Sequence, residues 1–222
     1  MIVVSTLVNE PSQAYTILEH AKQGSLILLP EEEKFGDKNY DQDEEFAKVS
    51  EISERRNLFV VINKPMALEG LRYDSMIGID RGSSVFTVRK YHLFEDETDF
   101  IARPPKPEPI VSIWGKSVGI AICYEISKIG GYGRMYDYGK IFQAAEIEVL
   151  LMPAVWEYNW HIPQVVARLC FKNIPSLKLC AFSSSNLANP KSYAAIWRRD
   201  GQGEVRAIIT TERNAYAFSD LL

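Results

Sequence analysis

Apolar positions in this chain come as short continuous runs, and amphipathic stretches of helical period lie between them. Met1 to Val8, Ser25 to Pro30 and Leu58 to Ile62 read as buried strands, because a strand covered on both faces needs no polar alternation. Between the first two, Pro11 opens a helix whose Tyr15, Leu18, His20 and Ala21 are spaced for one face, and Gly24 stops it. Asp41 to Arg56 is a charged helix that turns Phe46, Val49 and Ile52 inward. Strand and helix thus alternate as in an α/β domain. From about Tyr73 to Cys123 hairpins take over: Ser75 to Ile79 pairs with Val85 to Lys90 across Arg81-Gly82-Ser83-Ser84, and Ile110 to Trp114 with Val118 to Ile122 across Gly115-Lys116. The proline-rich piece from Arg103 to Pro109 between them is an extended surface connection. A third helix spans roughly Gly133 to Ala145, the strand Val149 to Met152 follows, and a fourth helix runs from near Pro163 to Lys172. Leu179 to Ser183, Tyr193 to Arg198, Glu204 to Thr211 and Tyr216 to Phe218 are again β. The expected fold class is α/β, with two sheets covered by helices.

Composition narrows the field of functions. A chain of 222 residues with no linker-like stretch supports one domain over 1–222 with a substantial core. A charged fraction of 24% and a net charge of -4 call for neither nucleic acid nor an anionic membrane as partner. The longest apolar stretch, Val149 to Trp156, has 8 residues, against the roughly 20 that a membrane span needs. The amino terminus lacks a basic leader and reads as a first strand. Three cysteines, Cys123, Cys170 and Cys180, have no metal-ligand spacing and fit a reducing, cytoplasmic setting.

Three strands end on residues that carry chemistry. Glu31 follows the run ending at Pro30, Lys90 ends Val85 to Arg89, and Cys123 closes Val118 to Ile122. In open α/β sheets the carboxyl edge is where catalytic groups gather. The three residue types are also complementary: a thiol needs a base to become a thiolate, and an ammonium stabilises the oxyanion formed when that thiolate attacks a carbonyl. Other motifs fail. Trp114-Gly115-Lys116-Ser117 ends like a phosphate loop, but Ile110 stands where the first glycine belongs. Gly131-Tyr132-Gly133 begins like a dinucleotide fingerprint, but Tyr136 takes the third glycine position. His20, His92 and His161 are too scattered for a metal site. Cys170 and Cys180, inside a helix and a strand, read as core thiols.

The same segments, in order and in local text, resemble the nitrilase superfamily of carbon-nitrogen hydrolases over nearly the whole chain. Leu29-Pro30-Glu31 with Phe35-Gly36 is similar to its first motif, Arg89-Lys90-Tyr91-His92-Leu93 to its lysine motif, and Gly119-Ile120-Ala121-Ile122-Cys123-Tyr124-Glu125 to its nucleophile motif. Supporting matches are Tyr73-Asp74-Ser75 with Gly82, Met152-Pro153-Ala154-Val155-Trp156, and Arg168, which would either bind a carboxylate or tie its helix to a loop. Val88 stands where an aromatic is frequent, and Glu125 where an aspartate is commoner.

The resemblance implies an α-β-β-α sandwich of two mixed sheets and a Glu-Lys-Cys triad. Glu31 would be the general base, Lys90 the oxyanion stabiliser and Cys123 the nucleophile, with the Tyr124 amide as second oxyanion donor. A second glutamate orients such a triad; Glu97 fits by spacing and Glu95 competes. Tyr124, Trp156, Tyr158 and Trp160 either wall the acyl pocket or pack the core. The implied activity is an amidase that cleaves a small non-peptide amide through a Cys123 thioester, without a cofactor, as a homodimer. Two alternatives stand beside it: an acyltransferase passing the acyl group to an amine, and a catalytically silent binding module. Lys90→Ala is expected to cost on the order of 10²–10³ in turnover while leaving the fold mostly intact.

Overall fold

The structure is a computed structural model, and it describes residues 2–8, 11–31, 42–93, 97–98, 101–129, 137–155, 161–185, 193–200, 202–210 and 215–220. The first half of the chain builds β1 (Ile2–Leu7), α1 (Pro11–His20), β2 (Ser25–Leu28), α2 (Gln42–Arg56) and β3 (Phe59–Asn63). Two hairpins follow, β4 (Met66–Leu68) with β5 (Leu71–Tyr73), and β6 (Ser75–Asp80) with β7 (Ser83–Arg89). The second half contains β8 (Ile110–Ile113), β9 (Lys116–Ile120), α3 (Tyr138–Ala144), β10 (Val149–Val155), α4 (His161–Asn173), β11 (Leu179–Ser185), β12 (Ala194–Arg199), β13 (Val205–Thr210) and β14 (Ala215–Asp220).

These strands form two mixed six-stranded halves, β7-β6-β3-β2-β1-β14 and β8-β9-β10-β11-β12-β13. Within the halves, β1, β2 and β3 run parallel, as do β9, β10 and β11. The outer strands are antiparallel. The halves are hydrogen-bonded to each other at Leu7 and Ser184, so the two expected sheets join at one corner into a continuous ladder.

Strand parity explains why the sequence shows unbroken apolar runs. Phe59 and Val61 of β3 face Val149 and Leu151 of β10 in a core between the halves, together with Val3, Leu26, Leu28, Val118 and Ile120. The alternate residues Val60 and Ile62 lie beneath Ala14, Ile17, Leu18, Val49 and Ile52 of α1 and α2. Leu150, Met152 and Ala154 likewise lie beneath Phe142, Val166, Ala167 and Phe171 of α3 and α4. In the central strands β2, β3, β10 and β11 nearly every position is therefore dry on one side or the other, and the layering is helix, sheet, sheet, helix.

Local chemistry sets the boundaries. Arg81-Gly82 and Trp114-Gly115 take positive φ at both residues (48° and 83°; 49° and 77°), the type I′ geometry that suits a two-residue hairpin. The second turn therefore starts one residue earlier than Gly115-Lys116. On α1 the buried face is Ala14, Ile17 and Leu18, whereas His20 is exposed, its ring Nδ1 paired with the Thr16 carbonyl at 2.8 Å. The inward assignment of His20 is thereby corrected. The hairpin of β4 and β5 is absent from the sequence reading because its residues are mostly exposed and alternate too briefly to register. Among the described residues, no helix is long and apolar enough to cross a membrane.

Candidate active site

Each of the three chain segments singled out by sequence delivers its reactive group to the same place. Beyond β2, Leu29-Pro30 carries the backbone to Glu31, whose carbonyl accepts from Ser185 Oγ at the end of β11 (2.6 Å). Lys90 follows directly on β7, and its amide donates to the Asp74 carbonyl at 2.9 Å. Cys123 lies past β9 and opens a short 3-10 helix, Cys123–Lys128. Its φ of +47° puts a non-glycine residue in the left-handed region, a backbone strain worth of order 1–3 kcal/mol that persists only where surrounding contacts impose it.

Glu125 imposes that turn. Its Oε2 accepts from the Ile122 amide at 2.9 Å, and its Oε1 accepts from the amides of Tyr91 (2.7 Å) and His92 (3.1 Å) and from the Tyr138 hydroxyl (2.6 Å). One carboxyl group thus ties the residue before the nucleophile to the residues after the lysine. Burial pushes it up to about 7, against the four donors, which favour the carboxylate. The sequence marks Glu125 only as a departure from an aspartate; that it bridges two loops is visible only after folding.

At the centre of the site is the ammonium of Lys90, 1% exposed. Its Nζ lies 2.7 Å from Glu31 Oε1, 2.5 Å from Glu97 Oε1 and 3.3 Å from Asp74 Oδ2. The three carboxyl groups approach within 4.8 Å of one another, and the ammonium is the cation they surround. Burial by itself disfavours the charged lysine, but Glu31, Asp74, Cys123 and Glu97 outweigh it and hold the amine protonated well above its ordinary range. Of the two candidates for the second glutamate, Glu97 occupies this position, and Glu95 lies outside the described residues.

Glu31 and Cys123 share a second anchor. Val155, the last residue of β10, donates its amide to Glu31 Oε2 at 3.2 Å and accepts the Cys123 thiol on its carbonyl at 3.4 Å. The thiol also lies within the electrostatic reach of Glu31. Burial pushes Glu31 up to about 8, with Lys90 pulling down and Asp74 and Glu97 adding to the rise. Burial and the neighbouring Glu31 raise the Cys123 thiol well above its usual value, while Lys90 opposes them. The resting thiol is therefore protonated and sits beside a carboxyl whose proton affinity has also been raised. Such a matched pair suits proton transfer near neutral pH.

The remaining candidates separate. Tyr124 is partly buried next to the nucleophile, with Lys128 Nζ 3.8 Å from its ring centroid. Trp156, Tyr158 and Trp160 lie outside the described residues, as do Phe35 and Gly36. His92 packs its ring 5.2 Å from that of Tyr138, and Arg168 is exposed on α4. Cys170 and Cys180 are buried, 2% and 0% exposed, whereas Cys123 is the half-buried thiol. Asp74, which the sequence offers only as part of a supporting match, is a fourth polar wall of the site, with its Oδ1 accepting from Asn63 Nδ2 at 2.7 Å.

No family model matches the sequence, and no curated protein does. Solved structures match over nearly the whole chain. A CN-hydrolase superfamily protein of Xanthomonas campestris, with an arsenic adduct in its active site, is similar at a TM-score of 0.70 and 14% identity, covering 99% of this chain and 89% of that one. An amidase from Nesterenkonia sp. is similar at a TM-score of 0.68 and 14% identity, covering 94% and 89%. A variant of that amidase, also at 14% identity and 0.68, shows acrylamide added to its active-site cysteine, with 94% and 91% covered. The glutamine-dependent NAD+ synthetase of Acinetobacter baumannii matches at 0.70 and 16% identity, with 98% of this chain but 44% of that one covered. The shared architecture is the nitrilase-superfamily fold.

Proposed function

We propose, starting from a nitrilase-superfamily fold, that this protein is a thiol-dependent carbon-nitrogen hydrolase that cleaves a small non-peptide amide. The observation that carries the reading is the convergence of Glu31, Lys90 and Cys123, 59 and 33 positions apart in sequence, around one ammonium with the half-buried thiol beside it. Amidases among the structural neighbours, one with an adduct on its cysteine, support the same chemistry.

In this reading ionised Glu31 takes the Sγ proton of Cys123, and the sulfur adds to the amide carbon. The oxygen of the tetrahedral adduct is stabilised by the Lys90 ammonium and the Tyr124 amide. Glu31 returns the proton to the leaving nitrogen, the carbon-nitrogen bond breaks and an acyl thioester remains on Cys123. Water deprotonated by Glu31 then attacks the thioester, and the acid leaves with the thiol restored. Glu97, in contact with the same ammonium, holds Lys90 in place through the cycle.

A small-molecule amide is the proposed partner and a homodimer the proposed assembly, the latter checked by sedimentation of the pure protein. Ammonia release from a panel of small amides, dicarboxylic monoamides and carbamoyl compounds tests the activity. Turnover of at least one compound that disappears in Cys123→Ala, together with release of the acyl group from Cys123 as a hydroxamate when hydroxylamine is added, is the expected result. Activity persisting in Cys123→Ala, or failure of the whole panel, contradicts it.

A further inference from the structure

Asp74 is not needed to write the reaction above, yet it is built into the site. It stands between β5 and β6, 2% exposed, and its two carboxyl oxygens are committed separately: Oδ1 accepts from Asn63 Nδ2 at 2.7 Å, and Oδ2 lies 3.3 Å from Lys90 Nζ. Its carbonyl accepts the Lys90 amide. Asn63 is itself held, its Nδ2 also donating to the Ser75 carbonyl at 3.2 Å. Asp74 is therefore fixed from three sides, with its carboxyl group held within 4.8 Å of that of Glu31.

Three carboxylates against one ammonium would leave a net charge of minus two in a largely buried site, and like charges brought this close to one another favour retention of a proton.

We propose that Asp74 is a positioning residue of the reaction: held by Asn63 and Lys90, it sets a second carboxyl against Glu31 and makes Glu31 a stronger base. The inference rests on the function proposed above. It gives a physical reason for a carboxyl that a hydrolytic triad does not require. The half-buried thiol lies beside Glu31 and is hard to ionise, so a base of ordinary glutamate strength would recover little thiolate. The groups facing Glu31 are Asp74 from the β5–β6 junction, Lys90 after β7, Glu97 from its own short turn and Cys123 after β9. Lys90 lowers its proton affinity, and Asp74 and Glu97 raise it.

The test is Asp74→Asn, which keeps the side-chain shape and an acceptor for Asn63 while removing the charge. The Glu31 carboxyl is followed by carbon-13 NMR of carboxyl-labelled glutamate in the whole protein, with Glu31→Gln assigning the signal. The wild-type midpoint, about 8, is expected to fall by about one pH unit or more in the variant. The acid limb of kcat/KM should move to lower pH by the same amount, a displacement that a purely structural loss would not produce. An unmoved midpoint overturns the proposal. So does a wild-type midpoint in the ordinary carboxylate range, a result that needs no folded variant. If no amide is turned over but the midpoint still moves, the assigned activity fails and the action of Asp74 on Glu31 stands.

Discussion

Replacing Lys90 by methionine removes one charge and almost no volume, so its consequence can be worked from the contacts of the ammonium alone. Three carboxyl groups at 2.7, 2.5 and 3.3 Å would lose their shared cation inside a site where Lys90 and Glu31 are 1% and 4% exposed. Breaking a buried ion pair by deleting one partner costs about 3–5 kcal/mol, because the surviving charge is left uncompensated. For a chain of this length that corresponds to a fall in Tm of roughly 6–20 °C. The loss should depend on pH with a definite sign. Glu31 already has a folded value near 8 against 4.5 for the free group. Its favourable contribution is therefore fully present below 4.5 and lost as pH rises through 8. Without Lys90, which lowers it, the folded value rises further and the loss deepens on the alkaline side. Urea unfolding followed by circular dichroism at pH 8 and at pH 4.5 should show Lys90→Met far below wild type at the first and close to it at the second. Equal stability of the two proteins at pH 8 would refute the reasoning. The sequence alone suggests that Lys90→Ala leaves the fold mostly intact; the three carboxyl contacts predict a large stability loss for removal of this charge.

Other expectations follow from the same contacts. Glu31→Gln should abolish turnover yet be at least as stable as wild type at pH 8, since a side chain that never ionises avoids the burial penalty; the advantage should vanish by pH 4.5 in the same unfolding assay. Wild-type kcat/KM should fall as pH drops through about 8, because a protonated Glu31 cannot act as base; a profile flat from pH 5 to 8 would exclude that role. Glu125→Gln places an amide group among four donors, so at least one of them loses its acceptor; a loss of about 1–3 kcal/mol in urea unfolding, with a lower kcat, is expected. Iodoacetamide followed by mass spectrometry should modify Cys123 well before Cys170 and Cys180; equal rates would remove the case for a reactive site.

Much of the architecture was legible because burial dictates apolar runs. Strands covered on both faces, such as Val149–Val155 and residues 59–62 of β3, must be apolar throughout, and helices beside them must show a single greasy face, whatever their neighbours. The glutamate, lysine and cysteine were visible for a related reason: each interrupts such a run at the end where a sheet opens. Boundaries were less legible where exposure removes the signal, as at the hairpin of β4 and β5, and where one residue of turn chemistry decides the register, as at Trp114-Gly115.

The sequence by itself thus determined the layers, the order of elements and three reactive residue types at strand ends, since those follow from local periodicity and composition. Only the tertiary structure decided which carboxyl groups meet. Glu31, Asp74 and Glu97 are 43 and 23 positions apart along the chain, and no local pattern distinguishes them from solvated acids. They become a single electrostatic unit because β2, the β5–β6 junction and the turn after β7 close on one buried lysine. Proton affinities in such a space depend on distance and burial, which are properties of the folded chain alone.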